Sequence, residues 1–499
     1  MITISKQSEN MRVEIMEFDR DEFILWNEQT KSIYYFMRRH LDNHNQTFNL
    51  FSRLFRKNSL LAVLLIDDKI EGLITWKRVK RAGDWLVHID ILIISDEFRG
   101  SKRMFFFIEQ AFLYLNSCFE TPDQEILLIA ETRYNSVYKY IDKFFTILPA
   151  PGSNRDSQTD RDKLIHLFYQ DFVEHYLQGM YYNGDTHTIR LKGVEPADTD
   201  IYSEFDCLGK LNITLDEYSV IFCRITKEQI NKIKRFHEVE VCSKAELLKN
   251  CLLLNQVNKD GPGRNKQTKV AIIDTGISQN RKVNLIGGVH VFYENGSVKT
   301  DNDFYSNEEH GNLAVRIIES IYPDAEFFIV RALSGRDCRC ENMIKGIYLA
   351  ADSGANVISI GGATLSQDFK DDLQNACDYA VSKGCIIIAP RDIETTKECY
   401  PFSFSNVLGI GITSIYNMIL LDRTFNIVKA TPEWIDYDDD SDRLIGNVSL
   451  GSSVANYIIT ALVAKLWKTY SLTGYEDLWN QLEKIGMPAE EIEHYLFDE

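Results

Sequence analysis

What this sequence lacks narrows it first. No Cys-x-x-Cys pair occurs among its ten cysteines, at 118, 207, 223, 242, 251, 338, 340, 377, 385 and 399. That removes the common zinc and dithiol patterns and leaves Cys338 and Cys340 as a lone Cys-x-Cys, a weak metal signal. Most of the others lie in apolar segments, as Cys223 does in "SVIFCRI" and Cys385 in "GCIIIAP". This predicts free buried thiols in a reducing compartment and no metal site. Basic residues are in deficit, with 55 Lys and Arg against 73 Asp and Glu and a net charge of −18. The electrostatic footprint of a nucleic-acid binder is therefore missing. No apolar run approaches the length of a membrane span. The N-terminal "MITISKQSENMRVEIMEF" has no apolar signal-peptide core. The expectation is a cytoplasmic protein with neither membrane nor nucleic acid as partner. Internal repeats are absent as well.

What is present is a 499-residue chain, 44% hydrophobic and 26% charged, ordinary for a globular protein and long enough for about three domains. Three blocks can be read, at 1–170, 171–265 and 266–499. The first alternates strand-like and helix-like pieces. "LLAVLLI" and "DDKIEGLITWKRV" form an expected hairpin, followed by "WLVHIDILII", a helix at "KRMFFFIEQAFLYLNS", a strand "EILLIAE" and a helix near "SVYKYIDKFF". The second block is small and α+β: "EYSVIFCRITKEQINKIKRFHEVEVCS" reads as strand, helix, strand, with Thr226 as N-cap. "NKDGPGRNKQTK", rich in Gly, Pro and Lys, reads as a linker. The third block alternates buried strands ("KVAIIDTG", "EFFIVRAL", "NVISIGGA", "GCIIIAP", "VLGIGIT") with helical patterns. That alternation predicts a doubly wound parallel α/β sheet.

In such sheets the carboxyl ends of strands gather ligands and chemistry. The apolar run Val270–Ile273 ends on Asp274. Alone, Asp-Thr-Gly there is turn chemistry. His310 and Gly311 stand at the start of an amphipathic helix, where a structural histidine is the simpler reading. Gly451, Ser452 and Ser453 open a long apolar helix, where Ser is a good cap. Taken in order, Asp, His and Ser at loop or helix starts of one α/β domain form one of the known chain orders of the acyl-transfer triad.

On these residues the third block resembles a subtilisin-type serine protease. "IIDTG" is similar to the family's Asp box, "HGNLAVRII" to its His box, "NVISIGGA" to its Ser-Leu-Gly-Gly strand, "GSSVA" to its Ser box and "YPFSFSNVLGIG" to its Tyr-Pro segment. The resemblance implies a subtilisin-like fold and hydrolysis of a peptide or protein substrate without a cofactor. Ser453 would be the nucleophile, His310 the base and Asp274 the residue that orients it. Ser359, Ile360, Gly361 and Gly362 would pair with an extended substrate. Asp392 stands where the family places an oxyanion-stabilising Asn. Three readings follow: a protonated Asp392, a slow and selective enzyme, or a pseudoprotease. Asn312 and Leu313 replace the usual Thr-His, and Tyr457 stands near the usual Pro.

The middle block resembles a subtilase propeptide and equally an unrelated α+β linker domain. The first block resembles the GNAT acyltransferase fold. That likeness implies an acyl-CoA site at Arg99, Gly100, Ser101 and Lys102, with Asn135 in the second half. The family's loop glycines are reduced here to Gly100. An active transferase and a GNAT-shaped recognition domain both remain open. Together the two likenesses suggest maturation of a specific peptide, recognised or acylated by one domain and cut by the other. A non-catalytic binding protein is the remaining class.

Overall fold

The structure is a computed structural model. It describes residues 2–3, 11–18, 24–41, 47, 50–51, 54–55, 59–81, 84–99, 101–115, 119, 125–132, 146–148, 180–183, 188–191, 218–236, 249, 252, 267–334, 339–391, 398–413, 418–438, 443–449 and 451–489. The chain divides into two compact units. One holds Met1–Arg20, Lys57–Ala245 and Asp438–Arg443; the other holds Asp21–Arg56, Glu246–Tyr437 and Leu444–Glu499.

The first unit is built on a ten-stranded sheet. Its expected hairpin is present: Ser59–Ile66 and Lys69–Arg81 pair antiparallel. They turn through Asp67 and Asp68, both at positive φ (49° and 62°), as a two-residue turn matched to strand twist requires. Among the described residues one pair in the sheet is parallel, Asp84–Ile94 with Glu125–Thr132. The connection between them contains the helix Lys102–Tyr114. Tyr218–Thr226, expected in a middle block of its own, pairs antiparallel with Glu125–Thr132 and so belongs to this sheet. Its sequence neighbours do not reveal that pairing, because the partner lies far off in the chain. The helix Lys227–Phe236 follows. Thr226 caps it as expected: its hydroxyl accepts from Gln229 N at 3.2 Å while Gln229 Oε1 accepts from Thr226 N at 2.8 Å. The expected helix near 136–145, the last strand of the middle block and most of the linker lie outside the described residues.

The second unit carries the parallel sheet. Its strands lie in the order Ser297–Asp301, Leu285–Glu294, Glu326–Arg331, Lys269–Asp274, Val357–Ile360, Ile386–Pro390, Leu408–Ile412, Ile427–Ala430, Leu420–Asp422 and Met487–Pro488. Neighbours from Leu285–Glu294 through Ile427–Ala430 are parallel. Side chains alternate between two cores. Val270 and Ile272 pack with the helices Glu309–Ile321 and Ser452–Tyr470; Ala271 and Ile273 pack with Cys340–Asp352 and Lys370–Ser382. A strand covered on both faces must be apolar throughout, which is why these strands read as unbroken hydrophobic runs.

The chain starts this sheet at Lys269–Asp274, lays three strands on one side, then crosses to add Val357–Ile360 on the other. The gap between those two strands is therefore a switch point, the place where loops diverge and leave a crevice at the carboxyl ends. One element arrives from outside the expected block. Leu25, only 6% exposed, packs in the same core as Val270 and Ile272, and Ile24 bridges to Leu252. The segment around the helix Glu28–His40 thus belongs with the parallel sheet and not with the N-terminal one.

Among the described residues the cysteines at 223, 340, 377, 385 and 399 are buried and outside any disulfide. Burial pushes the thiol of Cys377 up to about 12 and that of Cys385 to about 11, so neither is a ready nucleophile.

Candidate active site

Asp274 ends the strand Lys269–Asp274 at the switch point and is fully buried. A buried carboxylate is costly unless donors compensate it, and three do. Thr275 N donates to Oδ1 at 2.7 Å, His310 Nδ1 to the same oxygen at 2.8 Å, and the Tyr457 hydroxyl to Oδ2 at 2.6 Å. Because Nδ1 faces the carboxylate it carries the proton, which leaves Nε2 as the free acceptor.

The helix Glu309–Ile321 brings His310 there, and the loop after Asp274 fixes the approach. Thr275 Oγ1 accepts from Gly311 N at 3.1 Å, and Asn312 Oδ1 accepts from Ser278 N at 2.8 Å while its amide donates to the Glu308 carbonyl at 2.8 Å. Asn312, a departure from the family box, thus ties the helix start to the loop. Contact is so close that a Cβ on Gly311 would lie 2.1 Å from the Gly276 carbonyl oxygen, a place only glycine can occupy. Burial lowers the basicity of His310. The Asp274 hydrogen bond, the Asp274 charge and the Glu308 charge outweigh it and leave the imidazole above its ordinary 6.5.

Ser453 is the second residue of the helix Ser452–Tyr470 and is half-buried. Among the described residues its hydroxyl makes no hydrogen bond to His310; such bonds are often long before substrate binds. Its neighbour Ser452 anchors the helix start by donating to the Arg391 carbonyl at 2.5 Å, just past the strand Ile386–Pro390. Asp392 lies outside the described residues.

The expected substrate strand needs correction. Ser359 pairs with Ile272 on one side and Ile388 on the other, so it has no free backbone edge. Its hydroxyl, fully buried, accepts from Asn456 Nδ2 and Thr460 Oγ1, each at 3.0 Å. Ile360 is fully buried, and its carbonyl accepts from Asn456 at 3.1 Å. Alternation along the strand turns Ser359 toward the Ser453 helix, a structural tie. Gly361 and Gly362 lie beyond the strand end, at the switch point, and Gly361 N donates to the Ile273 carbonyl at 2.9 Å.

In the N-terminal unit, Arg99 donates from Nε to the Ile94 carbonyl at 3.3 Å and pairs with Asp96 at 3.0 Å. Ser101 caps the helix Lys102–Tyr114 by accepting from Met104 N at 3.3 Å. The backbone of Lys102 opens that helix; its side chain, Gly100 and Asn135 lie outside the described residues. No cluster of metal-ligating side chains occurs among the described residues, and no helix among them is long and apolar enough to cross a membrane.

Sequence reading did not anticipate the contacts of Tyr457 with Asp274 and His310. Placed in a helix that is apolar all round, it reads as core. The available signal was a phenol near a position where proline is usual.

A sequence model of the subtilase family matches residues 265–419. Subtilisin BL of Lederbergia lenta is 27% identical over 158 residues, covering 30% of this chain and 56% of that protein. The minor extracellular protease Epr of Bacillus subtilis (strain 168) is 25% identical over 166 residues, covering 31% of this chain and 24% of that protein. The chain therefore spans about half the length, or less, of these relatives. Among solved structures, the epidermin leader peptide processing serine protease from Staphylococcus aureus aligns with a TM-score of 0.36 at 16% identity, covering 53% of this chain and 83% of that one. The nisin leader peptidase NisP from Lactococcus lactis aligns with a TM-score of 0.34 at 19% identity, covering 44% and 83%. Within the C-terminal part of this chain, residues 265–419 are thus similar to the subtilase family.

Proposed function

We propose that the C-terminal domain is a serine endopeptidase acting on a peptide or protein through Asp274, His310 and Ser453. The observation that carries this reading is the Asp274–His310 hydrogen bond of 2.8 Å at the switch point. The position of Ser453 in its helix supports it. Tyr457 lies four residues on, hence on the same helical face, and its hydroxyl reaches both Asp274 and His310. The face that carries Ser453 is therefore the face turned to the acid–base pair.

In this reading Ser453 Oγ attacks the scissile carbonyl and its proton passes to His310 Nε2. Asp274 keeps the proton on Nδ1 and stabilises the imidazolium. His310 then returns its proton to the leaving amine, and water repeats the cycle to free the acyl group. The Gly361–Gly362 backbone offers the pairing edge for an extended substrate. The N-terminus of the Ser453 helix favours the developing oxyanion, to which Asp392 contributes only when protonated. The test is labelling by a fluorophosphonate probe. Covalent modification at Ser453, lost in Ser453→Ala, is expected; no labelling of the wild type would sink the peptidase and leave a non-catalytic binding protein.

A second reading concerns the N-terminal unit, where the parallel pair Asp84–Ile94 and Glu125–Thr132, with the helix Lys102–Tyr114 between them in sequence, supports the GNAT-like likeness. The described residues fit an acyl-CoA poorly: Arg99 is turned onto Asp96 and the Ile94 carbonyl, and Ser101 onto Met104 N. Substrate recognition suits this unit better than acyl transfer. Calorimetric titration with acetyl-CoA is expected to show no heat; saturable heat would restore the transferase reading.

A further inference from the structure

We propose that Tyr457 is a positioning residue for the Asp274–His310 pair, its buried hydroxyl fixing the carboxylate that orients the imidazole. This deepens the peptidase reading and rests on it.

Three observations carry it. First, the geometry: the fully buried phenol donates to Asp274 Oδ2 at 2.6 Å and lies 2.9 Å from His310 Nδ1 and 3.4 Å from Nε2. Its ring stands edge-on to the imidazole, with centroids 5.6 Å apart at 74°. Second, division of labour: Oδ1 serves Thr275 N and His310, whereas Oδ2 has Tyr457 as its sole donor among the described residues. Without that hydroxyl a buried carboxylate oxygen is unpaired, a costly arrangement that frees the group to turn. Third, fit: a Cβ on Gly361 would lie 2.0 Å from Oδ2 and 3.2 Å from the Tyr457 hydroxyl. The absent side chain leaves room for the carboxylate–phenol pair and nothing more. Burial and the Asp274 charge push the ionisation of Tyr457 well above its ordinary range, so it keeps its proton and remains a donor.

The bond also links the helix of the nucleophile to the acid–base pair, since Ser453 is one turn before Tyr457. The groups that face His310 are Asp274 from the strand end, Glu308 from its own helix start and Tyr457 from the Ser453 helix. Tyr457→Phe alters only the last. It leaves Asp274 a stronger base toward Nδ1–H, so His310 holds its second proton to higher pH.

The experiment follows fluorophosphonate labelling across pH in wild type, Tyr457→Phe, Asp274→Asn and the double variant, with ¹⁵N imidazole NMR of His310 as a readout independent of reactivity. Tyr457→Phe is expected to move the acid limb and the NMR titration up by about half a pH unit or more and to lower the plateau rate about tenfold. Both effects should vanish in the Asp274→Asn background. A limb and a plateau matching wild type, or the same changes without Asp274, would overturn the proposal. A wild type that does not label at Ser453 instead refutes the peptidase; the NMR titration then still decides, a shift on Tyr457→Phe supporting the positioning role and no shift overturning it. Should Tyr457→Phe fail to fold, 3-fluorotyrosine in place of Tyr457 keeps the shape and strengthens the donor. It should move the titration to lower pH, and an unmoved titration would overturn the proposal.

Discussion

Each unit of this molecule has a parallel strand that ends in a polar loop, and the two loops use their polar groups differently. After Asp84–Ile94, the groups settle among near neighbours. Arg99 binds Asp96 and the Ile94 carbonyl, Ser101 caps Met104 N, and Ser95 reaches Glu71 on the adjacent strand at 2.5 Å. After Lys269–Asp274, the partners come from remote parts of the chain: His310 from one helix and Tyr457 from another. Locally closed hydrogen bonds finish a turn. A buried carboxylate served by two distant helices needs the whole domain to exist, and such convergence marks a place where function is built.

The comparison breaks most visibly at the nucleophile. Ser453→Ala should lower peptide hydrolysis by about four to six orders of magnitude with little change in unfolding temperature, measured by peptide turnover and calorimetry. Asp274→Asn should cost about 10⁴ in turnover by favouring the wrong tautomer. It should also bring the His310 titration down, because burial, which lowers it, is then opposed by less. Gly361→Ala drives a methyl group against Asp274 Oδ2; about 1–3 kcal/mol of stability and most activity should be lost, read by denaturant melts beside turnover. In the unaltered protein the acid limb of labelling should lie above pH 6.5. His310 acts as a base only when neutral, and Asp274 and Glu308 hold its proton on beyond the ordinary value. At the small end, Thr226→Ala in the N-terminal unit removes a local cap. It should cost about 1 kcal/mol and leave turnover untouched.

The parts legible in the sequence were those with a local signal. Strands buried on both faces show as apolar runs such as Val270–Ile273, and helix starts show as His310-Gly311 and Gly451-Ser452-Ser453. Thr226 announced its cap because the partner Gln229 is three residues away. Distant pairing was legible only where the family resemblance supplied it, as for Asp274 and His310; elsewhere it stayed hidden. Ser359 read as a substrate contact, yet its hydroxyl is committed to Asn456 and Thr460, about a hundred residues later. Tyr457 stood out only as a departure near the usual Pro, because hydrophobic burial and a buried hydroxyl donor share one residue type.

Leu25 adds a lesson about production. It completes a core whose other members begin at Val270, roughly 245 residues later. On the ribosome the early segment emerges well before the sheet it will join, so its apolar side chains need a temporary shelter until synthesis catches up. An expression fragment starting at residue 266 would leave behind a segment that packs into the core of the parallel sheet. Such a fragment should misassemble, and supplying residues 21–56 as a separate peptide should help it recover.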